Sequence, residues 1–458
     1  MRAWEMEYSL MQAAIPEARE EAADAWLAVE GLEKSSDQMI SMLWSSRVPG
    51  SGAPERLMVA AVQALENRGM QVDDWEELVT AGLKALEEGD MVALHQIHAR
   101  LNHSLINARR NENSDYWNYQ QYRDWESFRK DSTFPEPYPY NKNDKRYAEQ
   151  LYGGWLAQII GGALGTSIEG YTTSNLRRAF GEIRNYLTTP SSINDDITYE
   201  LAFLSALEKH GRDLQSEDIA LEWIGLIPFG WSAELIALEN IRMGILPPRS
   251  GWYRNPFCEW IGAQMRGAVC GMVAPGDPEE AARLAWIDGQ ISHANNGIIG
   301  EVFNAVITAL AFVERDVPLI LEKAISMLPK RSEYYTVVDF ALTQCKSNGD
   351  WQKSWYAGEN RFKRYNWVHA YPNAVAEVIA LWYGKGDFEE TLHIVAMEGQ
   401  DVDCNAAQIM TVLGIITDEK EIPDKWKRPI GDTLNTYVRS MKKLSIKELA
   451  ERTAKSAQ

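Results

Sequence analysis

From residue 147 onward, the chain is a succession of apolar runs with helical periodicity. The clearest are AEQLYGGWLAQIIGGALGTSIEG, DITYELAFLSALEKHG, GIIGEVFNAVITALAFVE and CNAAQIMTVLGII. Apolar residues recur in them at the three- and four-residue spacing of a buried helix face, and the alternation of a half-exposed strand is almost absent. Helices without a sheet must bury their faces against one another. The sequence therefore predicts an all-α fold, an orthogonal helical bundle with an N-terminal helical extension.

The first part of the chain is predicted to be separate from this bundle. Residues 1–108 predict amphipathic helices, the first over residues 14–34, with breaks such as the loop RVPGSGAP at 47–54. They contain no plausible chemical constellation. We therefore predict a helical accessory region, which could also contact a partner or a second copy of the chain.

Two other segments have their own composition. Residues 109–146 are rich in Asn, Tyr, Trp, Pro and charged residues, and they predict an aromatic, polar linker. Two interpretations remain open: a loop pinned to the surface by its rings, or a flap whose aromatics border a ligand pocket. Residues 147–458 form the predicted main domain. Its last segment, 433–458, predicts a helix followed by a basic, mobile end.

Charge and cysteine content restrict the class of protein. Asp and Glu (65) outnumber Lys and Arg (46), for a net charge of −19. This argues against nucleic acid as a partner, because a phosphate-backbone binder needs clustered basic residues. The four cysteines match neither a zinc motif nor a disulfide framework. Without a signal-like start or a membrane-length apolar run, we expect a cytoplasmic protein with no membrane partner.

Two acidic clusters, far apart in the chain, each precede an apolar run and so lie near a helix start. They are Asn194-Asp195-Asp196 and Asp401-Val402-Asp403-Cys404. Helix capping alone would explain either cluster, because Asn and Asp accept the unpaired N–H groups of a first turn. Alternatively, four carboxylates from two helix starts could hold one or two Mg²⁺ or Mn²⁺ ions, which prefer oxygen ligands.

Small residues interrupt the first apolar run of the main domain. Gly161, Gly162 and Gly165 lie within IIGGALG. Without side chains there, a second helix or a ligand can approach the backbone closely.

Several motifs in a fixed order resemble one enzyme family. The motifs are GGWLAQIIGGALGTSIEG, INDDITYELAFLSALEKHG, GQDVDCNAAQIMTVLG and the closing IPDKW. Together they resemble the ADP-ribosylglycohydrolase family, which includes dinitrogenase-reductase-activating glycohydrolases and ADP-ribosyl-acceptor hydrolases. The central segment around QISHANNG is similar to a bacterial branch of that family. The resemblance covers the chain from about residue 147 to 426 and leaves the first 108 residues outside.

The resemblance implies an all-helical fold around a Mg²⁺ or Mn²⁺ site that cleaves a bond at the anomeric carbon of ribose. Asp403 is then the first candidate for the base that takes a proton from water, and Glu169 is the second. Cys404 stands where many members have a Thr ligand, and Gly162 stands where they have Asp. The metal ligands implied by the resemblance are Asn194, Asp195, Asp196, Asp401, Asp403 and Cys404.

Other polar residues are candidates for contact with the substrate. They are His293, Asn296 and Gly297 in QISHANNG, and His369 in VHAYPN. Each also has a purely structural interpretation. The histidines could be buried with satisfied rings, and Asn296 and Gly297 could form a turn between helices.

The sequence therefore favours a metal-dependent hydrolase acting at ribose C1. Its substrate could be ADP-ribose on a protein side chain, or a small nucleoside or riboside in salvage. A non-catalytic ligand-binding relative is the alternative, suggested by Asn194, Gly162 and Cys404. Four clustered aspartates argue against that alternative, because without a metal their like charges only repel.

Overall fold

The computed structural model describes residues 1–17, 29–417 and 419–458. Helices dominate these residues, which confirms the predicted all-α fold. The predicted helix over 14–34 falls partly outside them, and its described part is helical only from Val29. The described α-helices are α1 (Ala3–Ala13), α2 (Val29–Trp44), α3 (Leu57–Asn67), α4 (Trp75–Glu88), α5 (Met91–Ile106), α6 (Trp125–Asp131), α7 (Lys145–Gly165), α8 (Thr173–Phe180), α9 (Asp195–His210), α10 (Ser216–Leu226), α11 (Ser232–Arg242), α12 (Arg249–Trp252), α13 (Ala268–Val273), α14 (Pro278–Gly289), α15 (Asn296–Ala311), α16 (Val317–Met327), α17 (Glu333–Ser347), α18 (Trp351–Phe362), α19 (Ala370–Gly384), α20 (Phe388–Glu398), α21 (Val402–Ile416), α22 (Asp424–Ile430) and α23 (Ile446–Ser456).

The described strands are two-residue pairs that close turns or join neighbouring segments. Each pair is antiparallel, and none extends into a larger sheet within the described chain. The pairs are β1 (Ser46–Arg47) with β2 (Pro54–Glu55), β3 (Met70–Gln71) with β4 (Arg109–Arg110), β5 (Tyr171–Thr172) with β6 (Gly399–Gln400), and β7 (Leu434–Asn435) with β8 (Lys443–Leu444).

Helices α7 and α21 pack together at the centre of residues 147–458, the predicted main domain. A Cβ atom built at Gly165 would lie 2.2 Å from the Cα of Asp403, and one at Gly161 would lie 2.5 Å from the carbonyl oxygen of Ala406. The two backbones are therefore in contact, which side chains at those positions would prevent. The close approach predicted from the glycines is made by α21, and it brings the start of that helix against the end of α7.

The N-terminal helices α2–α5 have an apolar core of their own. It includes Trp44, Leu57 and Leu101, and it continues into Phe257 and Trp260 of the main domain. Helix α1 buries no residue. The N-terminal region from α2 onward is thus packed on the main domain through a shared apolar cluster.

The aromatic segment 109–146 lies against the main domain. Tyr116 donates a hydrogen bond to Glu259 at 2.6 Å, and the backbone N–H of Tyr122 donates to the Asn295 side chain at 2.9 Å. Phe128 is fully buried in the main core. These contacts hold the segment on the main domain, and its role as a pinned loop or as a flap stays a prediction.

The C-terminal segment differs from the prediction. A mobile basic end was expected after a helix, but the last residues form α23, which packs on α7. Ile446, Leu449 and Ala450 are buried at helical spacing, and the Trp155 Nε1 donates to the Thr453 hydroxyl at 3.0 Å. The prediction of a mobile end was wrong, because three buried apolar residues outweigh the basic composition.

No described helix has the length and hydropathy of a membrane span. The four cysteines are buried and form no disulfide.

Candidate metal centre

The starts of α9 and α21 converge, and the two acidic clusters meet there. Asn194 is the N-cap of α9, and its side-chain oxygen accepts from the Asp196 backbone N–H at 2.7 Å. The amide nitrogen of Asn194 donates to Asp403 Oδ2 at 3.1 Å. Residues 209 positions apart in the chain are therefore in direct contact. The capping interpretation holds for Asn194, whose oxygen already has a partner.

Capping does not account for the aspartates. Both carboxylate oxygens of Asp196, and Oδ1 of Asp401 and of Asp403, are buried without a hydrogen-bond partner. A buried carboxylate without a partner is strongly disfavoured unless it coordinates a metal or carries a proton. We refer to Asp195, Asp196, Asp401 and Asp403 as the carboxylate cluster.

The donor set of the cluster suits a hard cation. One potential ligand atom each of Asp401, Asp403 and Cys404 lies within 4.8 Å of the other two. Carboxylate oxygens match the preference of Mg²⁺ and Mn²⁺, whereas the Cys404 sulfur is a poor donor for them. That sulfur contacts Met265 Sδ at 3.7 Å. The aspartates therefore fit such an ion better than Cys404 does.

Burial and mutual repulsion keep the cluster from ionising fully. Burial raises the pKa of half-buried Asp195 to about 6, with a further contribution from Asp403. Burial also raises the pKa values of Asp196 and Asp401 well above their usual range, and the neighbouring aspartates add to both shifts. The pKa of Asp403 is raised, again mainly by burial. A bound cation would reverse these shifts by compensating the charges.

Glu169 faces the same cluster. Burial raises its pKa well above the usual range, and Asp403, Asp401 and Asp195 raise it further. Glu169 and Asp403 are therefore neighbouring acids in one buried cluster, and the pKa of each is raised mainly by burial. The structure thus brings together Glu169 and all six residues of the predicted ligand set.

Asn373 supports the cluster and was not predicted. Its side-chain oxygen accepts from the Asp401 backbone N–H at 3.1 Å and from the Asn405 amide at 2.8 Å. Its nitrogen donates to the backbone carbonyls of Trp367 and His369. A polar residue within the apolar run of α19 was the available signal. Asn373 fixes the loop that presents Asp401.

A second buried charge group, also not predicted, surrounds Arg266. The guanidinium pairs with Asp288, lies 3.2 Å from Glu234 and donates to the Ser292 hydroxyl at 3.0 Å. His293 belongs to this group, since its Nδ1 lies 2.7 Å from the Ser292 oxygen. Burial and Arg266 lower the pKa of His293 well below its usual range, so the ring is neutral.

The other predicted substrate contacts have structural partners. Asn296 begins α15 and donates to Glu259 at 3.2 Å, and Gly297 lies against the carbonyl of Cys258. His369 is the N-cap of α19, and burial lowers its pKa to about 3.

No hydrogen bond or ion pair between described residues joins the side chains of His293, Asn296 or His369 to the carboxylate cluster. Asn373 links only the His369 backbone to it. A substrate role for His293, Asn296, Gly297 and His369 remains a prediction.

The model of the family described as ADP-ribosylglycohydrolase matches residues 143–458. The chain belongs to the ADP-ribosylglycohydrolase family. An uncharacterized protein from Archaeoglobus fulgidus is 27% identical over 290 residues, which are 60% of this chain and 90% of that protein. A solved structure titled ADP-ribosylglycohydrolase-related protein complex covers 69% of this chain and 98% of its own, with a TM-score of 0.50 and 19% identity. This likeness shows a shared fold.

Membership of the ADP-ribosylglycohydrolase family indicates a glycohydrolase activity on ADP-ribosyl-type substrates. The acidic and cysteine group at the start of α21 is a possible metal site of the kind typical of that family. The first 142 residues lie outside the family match.

Proposed function

We propose that this protein is a Mg²⁺- or Mn²⁺-dependent hydrolase that cleaves the glycosidic bond at ribose C1 of an ADP-ribosylated or ribosylated substrate. The observation that carries the proposal is the set of buried, unpartnered carboxylate oxygens on Asp196, Asp401 and Asp403. When ionised, such oxygens destabilise a fold with no cation to bind.

The residues divide into ligands and a proton acceptor. Asp195, Asp196, Asp401 and Asp403 would hold one or two ions, which supply positive charge and Lewis acidity toward substrate and water oxygens. Asn194 and Cys404 are weaker ligand candidates, because the Asn194 oxygen caps α9 and sulfur suits these ions poorly.

Asp403 and Glu169 are the candidates for moving a proton in this proposal. In the hydrolysis, water adds at C1 and loses a proton to a carboxylate, while the bond from C1 to the leaving group breaks and that group takes up a proton. Because burial raises the pKa of both carboxyl groups, the pair can hold one proton between them. We assign the acceptor role to this pair.

The substrate is tested by product detection. The protein is incubated with Mg²⁺ or Mn²⁺ and a mixture of ADP-ribosylated peptides and small ribosides, and mass spectrometry identifies the products. Released ADP-ribose would identify a hydrolase of protein-linked ADP-ribose, and released ribose or base would identify a salvage hydrolase. Metal binding without any product would favour a ligand-binding relative instead.

Asp403→Asn is the decisive variant for this proposal. It removes one ligand charge and one proton acceptor, so we expect kcat to fall on the order of a hundredfold or more. It should also reduce the rise in Tm that Mg²⁺ or Mn²⁺ produces, since such ligands stabilise the native state they bind. Exposed Asp213→Asn is the matched control and should behave as wild type. A fully active Asp403→Asn would contradict the proposal.

The four free, buried cysteines fit a reducing compartment, and we propose the cytoplasm as the place of action.

A further inference from the structure

The glycine-rich loop 47–54 of the N-terminal region lies against the segment that carries Glu169. It closes the hairpin between β1 and β2, and Val48 N–H donates to the Ala53 carbonyl at 2.9 Å. Gly50 and Gly52 have φ of +94° and +70°, which favour glycine. Ala53, which precedes β2 in this loop, is fully buried.

The loop is buried against the segment that carries Glu169, residues 166–171. A Cβ atom at Gly50 would lie 2.6 Å from the carbonyl oxygen of Thr166, and one at Gly170 would lie 2.6 Å from the Cβ of Ala53. The Tyr171 hydroxyl donates to the Ser51 carbonyl at 3.1 Å. The loop thus contacts residues that precede and follow Glu169 in the sequence.

The same segment is tied on its other side to the loop that presents Asp401. Gly170 N–H donates to the Gln400 carbonyl at 2.8 Å, and β5 pairs with β6 next to it. Glu169 is therefore held between the N-terminal loop and the residue that precedes Asp401.

The N-terminal loop is itself anchored to the main domain. Trp231 Nε1 donates to Glu55 at 2.9 Å, and the Ser46 hydroxyl donates to the same carboxylate at 3.1 Å. Further along, the Gln63 amide donates to the Arg364 carbonyl at 2.7 Å. These bonds give loop 47–54 a fixed position from which it can restrain residues 166–171.

We propose that loop 47–54 is a positioning element of the active site, which sets the placement of Glu169 against Asp403. The N-terminal region is then a working part of the site, although it lies outside the family match. This inference rests on the proposed function for the role of Glu169, but the contact it invokes is independent of turnover.

Gly50→Ala and Gly52→Ala test this in the full-length protein. Both place alanine at positive φ, but Cβ at position 50 meets the Thr166 carbonyl, whereas at position 52 it meets nothing within 4 Å. Hydrogen exchange followed by mass spectrometry is measured on peptides covering residues 166–172. We expect exchange about tenfold faster in Gly50→Ala and unchanged in Gly52→Ala, because only the first displaces the segment.

The second readout is a double-mutant cycle on the substrate that the wild type hydrolyses. Gly50→Ala should lower kcat/KM on the order of tenfold to a hundredfold, because small displacements of catalytic groups are costly. In a Glu169→Gln background the same change should have little further effect, since both act through one group. If Gly50→Ala fails to fold, Tyr171→Phe replaces it. It should change hydrogen exchange and kcat/KM in the same direction, by smaller amounts.

Three results would overturn the inference. The first is equal hydrogen exchange in the two glycine variants, and the second is an unchanged kcat/KM in Gly50→Ala. The third is a double variant whose loss of kcat/KM equals the product of the losses in Gly50→Ala and Glu169→Gln. Absence of wild-type turnover on any ribosyl substrate would instead overturn the proposed function, and the exchange measurement would still decide whether the loop holds residues 166–171.

Discussion

Several buried acidic residues have pKa values well above those of exposed acids. Burial raises the pKa of Asp195 to about 6 and the pKa values of Glu200 and Glu377 to about 8. Because folding raises these values, the folded chain binds more protons than the unfolded chain between about pH 4 and pH 8. Stability supplied by these acids is complete below that window and is lost as the pH rises through it.

We therefore expect the metal-free protein to lose stability between pH 6 and pH 8. The free energy of unfolding should fall on the order of 1 kcal/mol per pH unit. Mg²⁺ or Mn²⁺ should increase the free energy of unfolding more at pH 8 than at pH 6, because the ionised ligands bind the cation. Denaturant titrations with chelator or with metal at each pH measure both effects. A stability that rises with pH without metal would refute the expectation.

Arg266 is a buried cation surrounded by buried acids. It pairs with Asp288 and lies 3.2 Å from Glu234, and its guanidinium lies 4.8 Å from the Trp223 ring. We expect Arg266→Met to cost about 3–5 kcal/mol, because it leaves buried carboxylates uncompensated.

Arg283→Met is the matched control for Arg266→Met. The Arg283 pair with Glu280 is partly exposed, so its loss should cost about 1 kcal/mol or less. Chemical denaturation compares the two variants. Equal losses would show that the Arg266 group contributes no more than a surface pair.

The crossing of α7 and α21 links packing between helices to the placement of the carboxylate cluster. Gly165 touches the backbone of Asp403, so any added side chain displaces the start of α21. We expect Gly165→Ala to destabilise the protein by about 1–3 kcal/mol and to weaken metal binding as well.

Gly225→Ala is the matched control in another helix. Its Cβ would meet nothing within 4 Å in α10, so the change should be neutral or stabilising by at most about 1 kcal/mol. Thermal unfolding with and without Mn²⁺ separates the two effects. A Gly165→Ala variant that keeps the wild-type metal response would show that the crossing does not set the site.

At the scale of the whole molecule, helix α23 contributes to the stability of the main core. Leu449 of α23 is buried in the main core, and α23 packs on α7 next to Trp155. We expect Leu449→Ala to cost about 2–5 kcal/mol, as in other cores. Exposed Glu451→Ala on the same helix should cost about 0.5 kcal/mol or less. Denaturant unfolding measures both, and a Leu449→Ala variant as stable as wild type would contradict the observed packing.

The all-α class, most helices and the meeting of the two acidic clusters were predictable. Helical periodicity and caps depend on residues within one or two turns of each other, which a sequence displays directly. The glycines of α7 likewise pointed to a close helix approach. The cluster itself was predicted through the order of the motifs, since no local pattern shows that Asp403 lies beside Asn194.

Other features depend on contacts between distant parts of the chain. Asn194 and Asp196 have the same local pattern of a helix start, yet Asn194 caps the helix and Asp196 has free oxygens facing Asp401 and Asp403. Only the path of α21 past α9 distinguishes them. The same holds for Arg266, whose partners come from three separate segments of sequence.

Local sequence thus accounts for which segments are helical and which side chains could bind a cation, because hydrogen bonding and periodicity act between near neighbours. Folding in three dimensions accounts for the burial of α23, the Arg266 group, the support from Asn373 and the contact of loop 47–54 with residues 166–171. Those contacts join residues from separate elements of the chain, well beyond the reach of one helical turn. Burial changes the proton affinity of a carboxyl group only once the fold has removed its water.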